Sequence, residues 1–230
     1  MINAPGETVC EVMKRRILFV APFIIVGCKK EIDTDVSVVT DPLPIKWEEW
    51  VFEGDSITDL SSGLPDNYPH QLQLLDTATA KAKQIDVALS GDKIQNIILE
   101  YQSQVHPYRP ADNSHNYIFA IMAGINDAIA NRSATDIYKD LRTEWGYARA
   151  DGFKVMAFCM TRSTNGVANT TGAQVNDMMI NNPQDYDYLI RTDQILPDAT
   201  NTVLFRDGLH PTTTGSIIIA QEVLRVLKIH

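Results

Sequence analysis

The sequence is short of basic residues, of cysteine and of long apolar runs, and each shortage closes off a class of function. Lysine and arginine number 20 against 29 aspartates and glutamates, a formal net charge of −9 over 230 residues. A nucleic-acid binder needs a basic face to displace counterions from phosphates. Nucleic acid is therefore excluded as a partner, an anionic membrane surface is disfavoured, and neutral substrates fit better. The three cysteines, Cys10, Cys28 and Cys159, stand far apart and form no Cys-x-x-Cys pair. That leaves neither a disulfide framework nor a zinc site. Cys159 sits in the apolar run Val155 to Met160 and has the character of a small buried hydrophobe. The apolar stretch Ile17 to Val26 has ten residues, too few to cross a hydrocarbon core of ~30 Å. There is no internal repeat and no low-complexity tract. A chain of this length holds one α/β domain and a leader, with a core that needs no disulfide or metal.

Residues 1–28 have the order of a leader. Met13-Lys14-Arg15-Arg16 is basic, Ile17 to Val26 is apolar, and Gly27-Cys28 follows. Pro22 and the lack of a polar face count against a buried or amphipathic helix. Ile25-Val26-Gly27-Cys28 resembles a bacterial lipobox. The resemblance implies a lipid on Cys28, which becomes the first mature residue. It also implies a cell-envelope location on the periplasmic or outer-membrane face, with the membrane touched only through the anchor. Without the lipid the chain would be secreted. Residues 1–12 precede the basic segment, and Met13 can serve as the start. Residues 29–44 are polar, charged and contain proline, the composition of a tether. The domain then runs over 45–230.

Within it, strands and helices alternate. Ile45 to Glu53 is expected as a first strand and Tyr68 to Thr79 as a helix. Gln84 to Leu89 follows as a strand and Lys93 to Val105 as a helix carrying Ile94, Ile97, Ile98 and Tyr101 at helical spacing. Tyr117 to Ala123 is a continuous apolar run, as in a central parallel strand. Ser133 caps a helix over Ala134 to Ala150, with Asp136 at its third position. Lys154 to Met160 is the fourth strand. Thr161 to Thr171, rich in Thr, Asn and Gly, has the composition of an active-site loop. Gln174 to Arg191 is expected to be helical with a break near Pro183, and Thr202 to Phe205 to be the fifth strand. Thr213 to Leu227 closes the chain as a helix with Ile217, Ile218, Val223, Leu224 and Leu227 toward the core. The alternation implies a parallel sheet with helices on both faces, joined by right-handed crossovers.

Four polar motifs fall at or just after the ends of expected strands: Gly54-Asp55-Ser56-Ile57-Thr58, Ser90-Gly91-Asp92, Gly124-Ile125-Asn126-Asp127 and Asp207-Gly208-Leu209-His210. In a parallel sheet these ends share one rim, where ligands bind. Taken singly, each motif is also an ordinary turn or helix cap, and Asp55, Asp92 and Asp127 fit structural roles. His70, His106 and His115 lie in or beside polar loops and are expected simply to be exposed. Taken together, the motifs supply a hydroxyl (Ser56), an imidazole (His210) and a carboxylate three residues before it (Asp207). They also supply a glycine N–H (Gly91) and a carboxamide (Asn126). Acyl transfer requires these parts: a nucleophile, its base, a group holding the imidazole tautomer, and donors for the oxyanion. Gly-x-Ser-x-Gly is absent around Ser56, which argues against a nucleophile elbow.

In these four blocks, which span 54–211 in order, the chain resembles the SGNH or GDSL hydrolases. The resemblance implies a three-layer α/β/α, flavodoxin-like fold and serine esterase, lipase or carbohydrate-deacetylase activity with no cofactor and no metal. It implies Ser56 as nucleophile, His210 as general base and then acid, and Asp207 as its partner. The oxyanion hole would be the Ser56 and Gly91 N–H groups with the Asn126 side chain. Ile57 stands where the motif's name has Leu. The Asn often found before the second block's Gly is replaced by the stretch Asp86-Val87-Ala88. The expected substrate is a small-molecule or polysaccharide ester, first a short-acyl or O-acetyl carbohydrate ester, with lysophospholipid as the alternative within the family. Two other classes compete. A metal-dependent phosphoesterase would use the Asp, Asn and His side chains as ligands and leave Ser56 idle. A non-catalytic carbohydrate-binding lipoprotein would tolerate a broken triad.

Overall fold

Residues 49–62, 67–75, 82–111 and 117–229 are described by the computed structural model, and they belong to one compact unit, Pro42–His230. The leader with Cys10 and Cys28, the tether 29–44, the start of the first expected strand, the end of the first expected helix, His115 and His230 lie outside the described residues. Five strands, β1 Glu49–Gly54, β2 Lys83–Asp86, β3 Tyr117–Met122, β4 Lys154–Phe158 and β5 Tyr188–Ile190, form one sheet. All neighbours are parallel and the order is β2-β1-β3-β4-β5. This is the doubly wound, flavodoxin-like order, and the sheet's direction of growth reverses between β1 and β3. Seven helices accompany it among the described residues: α1 Tyr68–Leu75, α2 Ile94–Gln104, α3 Ile125–Ile129, α4 Ala134–Ala150, α5 Gly166–Asn181, α6 Thr192–Ile195 and α7 Thr213–Ile229.

The strand pleat divides the core. Trp50 and Phe52 stack at 5.5 Å, Phe52 meets Tyr68 of α1 edge-on, and Tyr101 of α2 meets Phe119 of β3. Helix α1 packs on α7, and α2 packs on α4, which packs on α5. The sheet is thus covered on both faces, as its fully buried run Ile118 to Met122 requires. Ser133 caps α4 as its position predicts: its Oγ accepts from the Asp136 N–H at 3.1 Å.

Three expectations are corrected. The fifth strand is Tyr188–Ile190, inside the stretch expected to be helical. Thr202 to Phe205 forms turns instead, with one antiparallel bridge from Phe205 to Pro211. Helix α5 begins at Gly166, so the second half of the expected Thr161–Thr171 loop is helical. Asn165 caps it through Oδ1, which accepts from the Ala168 N–H at 3.0 Å. In α7 the fully buried positions are Ile219, Ala220 and Val223, with Val226 nearly so, while Ile218, Leu224 and Leu227 pack at their edge. Ile217 is only half-buried and does not join the core.

Candidate active site

The rim at the reversal between β1 and β3 collects the polar motifs. Gly54 ends β1 with φ +145°, and a Cβ there would collide with the Met122 carbonyl of β3. Only glycine lets the two strands close up where the chain turns. The Thr58 and Asp59 N–H groups donate back to the Asp55 carbonyl, each at 2.9 Å, and the Asp55 Oδ1 accepts from the Ile57 N–H at 3.0 Å. This turn holds Ser56 at the head of the sheet.

Ser56 Oγ lies 2.8 Å from His210 Nε2, and His210 Nδ1 lies 2.7 Å from Asp207 Oδ2. The carboxylate demands a donor, so the ring proton is on Nδ1 and Nε2 is free to accept the serine hydroxyl hydrogen. The other carboxylate oxygen, Asp207 Oδ1, accepts from the His210 and Leu209 N–H groups at 2.9 and 3.0 Å. Partial burial works against the Asp207 charge, but these donors and the His210 ring outweigh it and hold the carboxyl below its usual range. The loop is closed by Phe205 against Pro211 and by the Arg206 N–H donating to the His210 carbonyl at 2.9 Å. On its outer side the Thr164 N–H donates to the Gly208 carbonyl at 2.9 Å. The fourth motif thus follows no strand of the sheet. It reaches the rim on a loop that runs back after β5.

Gly91 stands exposed at the corner of a turn in which the Asp92 N–H donates to the Leu89 carbonyl at 3.0 Å, and its φ is +88°. Asn126, in the first turn of α3, uses one amide hydrogen to donate to the Asp92 carbonyl at 2.9 Å. The other hydrogen of that Nδ2 remains for a substrate oxygen. The structure therefore brings Ser56, Gly91, Asn126, Asp207 and His210 to one rim.

Buried carboxyls surround them. Asp55 is fully buried and its Oδ2 has no partner. Burial pushes its pKa up to about 7, against the Ile57 N–H and the His210 ring. Asp127, wholly buried, accepts from the Ile94 N–H at 3.0 Å and from Arg132 at 2.7 Å, and so caps α2 from the neighbouring helix α3. Asp92 accepts from the Asn96 side chain at 3.1 Å. Sequence reading missed Asp59. It is 1% exposed and accepts four hydrogen bonds from Ser61 and Ser90. Burial opposes its charge, but those donors prevail and lower its pKa. No motif marks it, because one donor pair comes from a loop 31 residues away. Among the described residues no three His, Cys, Asp or Glu side chains are grouped to hold a metal ion.

Comparison with known proteins agrees with this architecture. A family model described as the GDSL-like Lipase/Acylhydrolase family matches residues 52–216. No curated protein sequence matches the chain. Solved structures share the fold at low identity. A member of the lipolytic protein G-D-S-L family from Veillonella parvula is 20% identical with a TM-score of 0.64, over 78% of this chain and 97% of its own. The lipase/acylhydrolase from Enterococcus faecalis is 17% identical with a TM-score of 0.63, over 79% and 95%. Axe2, an acetylxylan esterase from Geobacillus stearothermophilus, is 16% identical with a TM-score of 0.62, over 80% and 96%.

Proposed function

The chain belongs to the GDSL-like lipase/acylhydrolase family, and on that premise we propose that it is a serine ester hydrolase acting through an acyl-enzyme, with O-acetylated carbohydrate as its substrate class. The observation that carries this reading is the unbroken hydrogen-bond chain from Ser56 through His210 to Asp207. His210 Nε2 takes the hydroxyl proton as Ser56 Oγ attacks the ester carbonyl. The developing oxyanion is met by the Ser56 and Gly91 N–H groups and the free amide hydrogen of Asn126. His210 then returns the proton to the leaving alcohol. A water, deprotonated by the same ring, attacks the acyl-enzyme, releases the acid and restores Ser56. Asp207 holds the ring and stabilises its charged form without taking the proton itself.

Two observations support a hydroxyl-rich alcohol. A polar cavity of about 240 Å³ beside the Gly208 loop is lined by Arg162, Ser163, Thr164, Asn169 and the stretch 197–200. One solved structure of like fold is an acetylxylan esterase. The lipobox-like Cys28 supports a lipid-anchored enzyme at the cell envelope, tested by the intact mass of envelope protein. An unmodified chain still carrying Met13 would overturn that part.

The test of the activity is hydrolysis of chromogenic acetyl and longer-acyl esters and of acetylated glycans, with and without chelator. Acetyl esters are expected to turn over fastest and an organophosphate to label Ser56 stoichiometrically. Label on another serine, or activity abolished by chelator and restored by metal, would overturn the serine mechanism. Preference for long acyl chains would move the substrate class to lipids.

A further inference from the structure

The loop that carries Gly91 is pinned from three sides. At its start, Asp59 Oδ2 accepts from the Ser90 N–H at 2.9 Å and from the Ser90 Oγ at 2.7 Å. In its middle, the Asp92 carbonyl accepts from Asn126. At its end, the Ile94 N–H donates to Asp127. The last two contacts come from the first turn of α3, the short helix after β3. The first is the only one of the three that reaches back to the turn bearing Ser56, because the Asp59 N–H itself donates to the Asp55 carbonyl at 2.9 Å. Asp59 Oδ1 meanwhile accepts from the Ser61 N–H at 2.7 Å and the Ser61 Oγ at 2.6 Å. The Asp59 carbonyl accepts from Asn67.

We propose that Asp59 is a positioning residue for the oxyanion hole: its carboxylate clamps Ser90 and so fixes the Gly91 N–H at a set distance from Ser56. The inference rests on the serine-hydrolase reading and adds a residue to it. The chemistry explains why a carboxylate is needed. Four donors arrive in two pairs, one pair on each oxygen. A carboxamide accepts on one side only, so an asparagine at 59 would face one serine with N–H groups against donors. A buried charge without these partners would be strongly unfavourable, so the two serines and the aspartate hold one another. Gly91 itself meets no side chain within 4 Å where a Cβ would be. No packing at Gly91 itself therefore holds that residue in place, and the hydrogen bonds on either side of it do.

The experiment compares Asp59→Asn, Ser90→Ala and Ser56→Ala on a chromogenic acetyl ester. It also follows the Gly91 amide signal in protein labelled with ¹⁵N-glycine. Asp59→Asn is expected to lower kcat by about 10- to 100-fold with KM changed less than about threefold, since a misplaced oxyanion donor weakens the transition state alone. Ser90→Ala, which removes one of the two donors on that side, is expected to lower kcat by about 3- to 10-fold. The Gly91 amide signal is expected to shift in both. A folded Asp59→Asn variant with the Gly91 signal unmoved and kcat within about twofold of the parent, beside an inactive Ser56→Ala, would overturn the clamp and leave the esterase reading intact. Full activity in Ser56→Ala would overturn the serine reading instead. If Asp59→Asn does not fold, Ser90→Ala decides: an unchanged kcat and an unmoved Gly91 signal overturn the proposal.

Discussion

Two histidine–aspartate pairs among the described residues have nearly equal geometry and lie at opposite ends of the sheet. At the carboxyl rim, His210 Nδ1 is 2.7 Å from Asp207. At the other end, His106 Nδ1 is 2.8 Å from Asp151. His106 follows α2 and Asp151 follows α4, and both helices carry the chain back from the rim to the start of the next strand. The pairs differ in what else the groups hold. Asp207 spends one oxygen on its own loop's N–H groups and the other on the ring, whose Nε2 faces Ser56. Asp151 places the ring and the buried Tyr101 hydroxyl, at 2.7 Å, on the same oxygen. That oxygen fastens the end of α2 to the end of α4. An imidazole beside a carboxylate is thus a clamp by default. It becomes a base only where the fold also delivers a hydroxyl to its far nitrogen.

The comparison can be broken most sharply by deleting each histidine. His210→Ala and Ser56→Ala are each expected to lower kcat by about 10⁵-fold or more, while His106→Ala keeps kcat within about twofold. A large loss in His106→Ala would mean that the second pair is chemical. Deleting the carboxylates sharpens the contrast. Asp207→Ala is expected to be about a hundredfold less damaging than Ser56→Ala, because Asp207 orients and stabilises without making bonds. Its half-exposed position also lets water take its place. Asp151→Ala is expected to cost about 1–3 kcal/mol of stability, read from denaturant unfolding, with kcat untouched. Next in size is Asn126, the proposed oxyanion donor, which has no counterpart beside His106 among the described residues. Asn126→Ala is expected to lower kcat by about 10²–10³-fold at nearly constant KM. A KM rise at constant kcat would make Asn126 a substrate-binding group.

The smallest effect separates a carboxyl held low from one held high. Glu144, on the buried face of α4, has both oxygens without partners, and burial pushes its pKa up to about 8. A raised acid in the folded state favours folding most below its ordinary pKa, and that contribution is lost as pH rises toward 8. Asp207, held low, has the opposite sign: its contribution is present above the ordinary carboxylate range and is lost on acidification. Glu144→Gln is therefore expected to gain on the parent in Tm between pH 5 and pH 9, by at least about 4 °C. Parallel Tm curves would refute the buried, neutral state of Glu144.

Much of this architecture was legible because long patterns survive local noise. The apolar run at Tyr117, the capped helix after Ser133 and the four rim motifs each carry several agreeing signals. The misplaced fifth strand carried few. Tyr188–Ile190 is three residues long, and its apolar residues continue the spacing of the helix before it. The beginning of α5 was hidden because its buried face starts with small residues, Ala168 and Gly172, before Val175 and Met179. They keep helical spacing without registering as an apolar stripe. In the site, Ser56, Gly91, Asn126, Asp207 and His210 stood out as motif members. Asp59 did not, since hydrogen bonds to Ser61 and Ser90 leave no periodic trace. His106 was expected to be merely exposed, and its pairing with Asp151 depends on two helices ending side by side.

The sequence separation of 154 positions from Ser56 to His210 also sets an order in time. Strand β1 and Ser56 leave the ribosome well before Asp207 and His210. At a synthesis rate of about 5–20 residues per second the interval is roughly 8–30 s. Throughout it the growing chain carries a serine with no proton acceptor. On the serine-hydrolase reading proposed above, a nascent or truncated chain ending before the last loop is expected to be inert toward esters, with hydrolysis beginning only when that loop has been released and has folded back to Ser56.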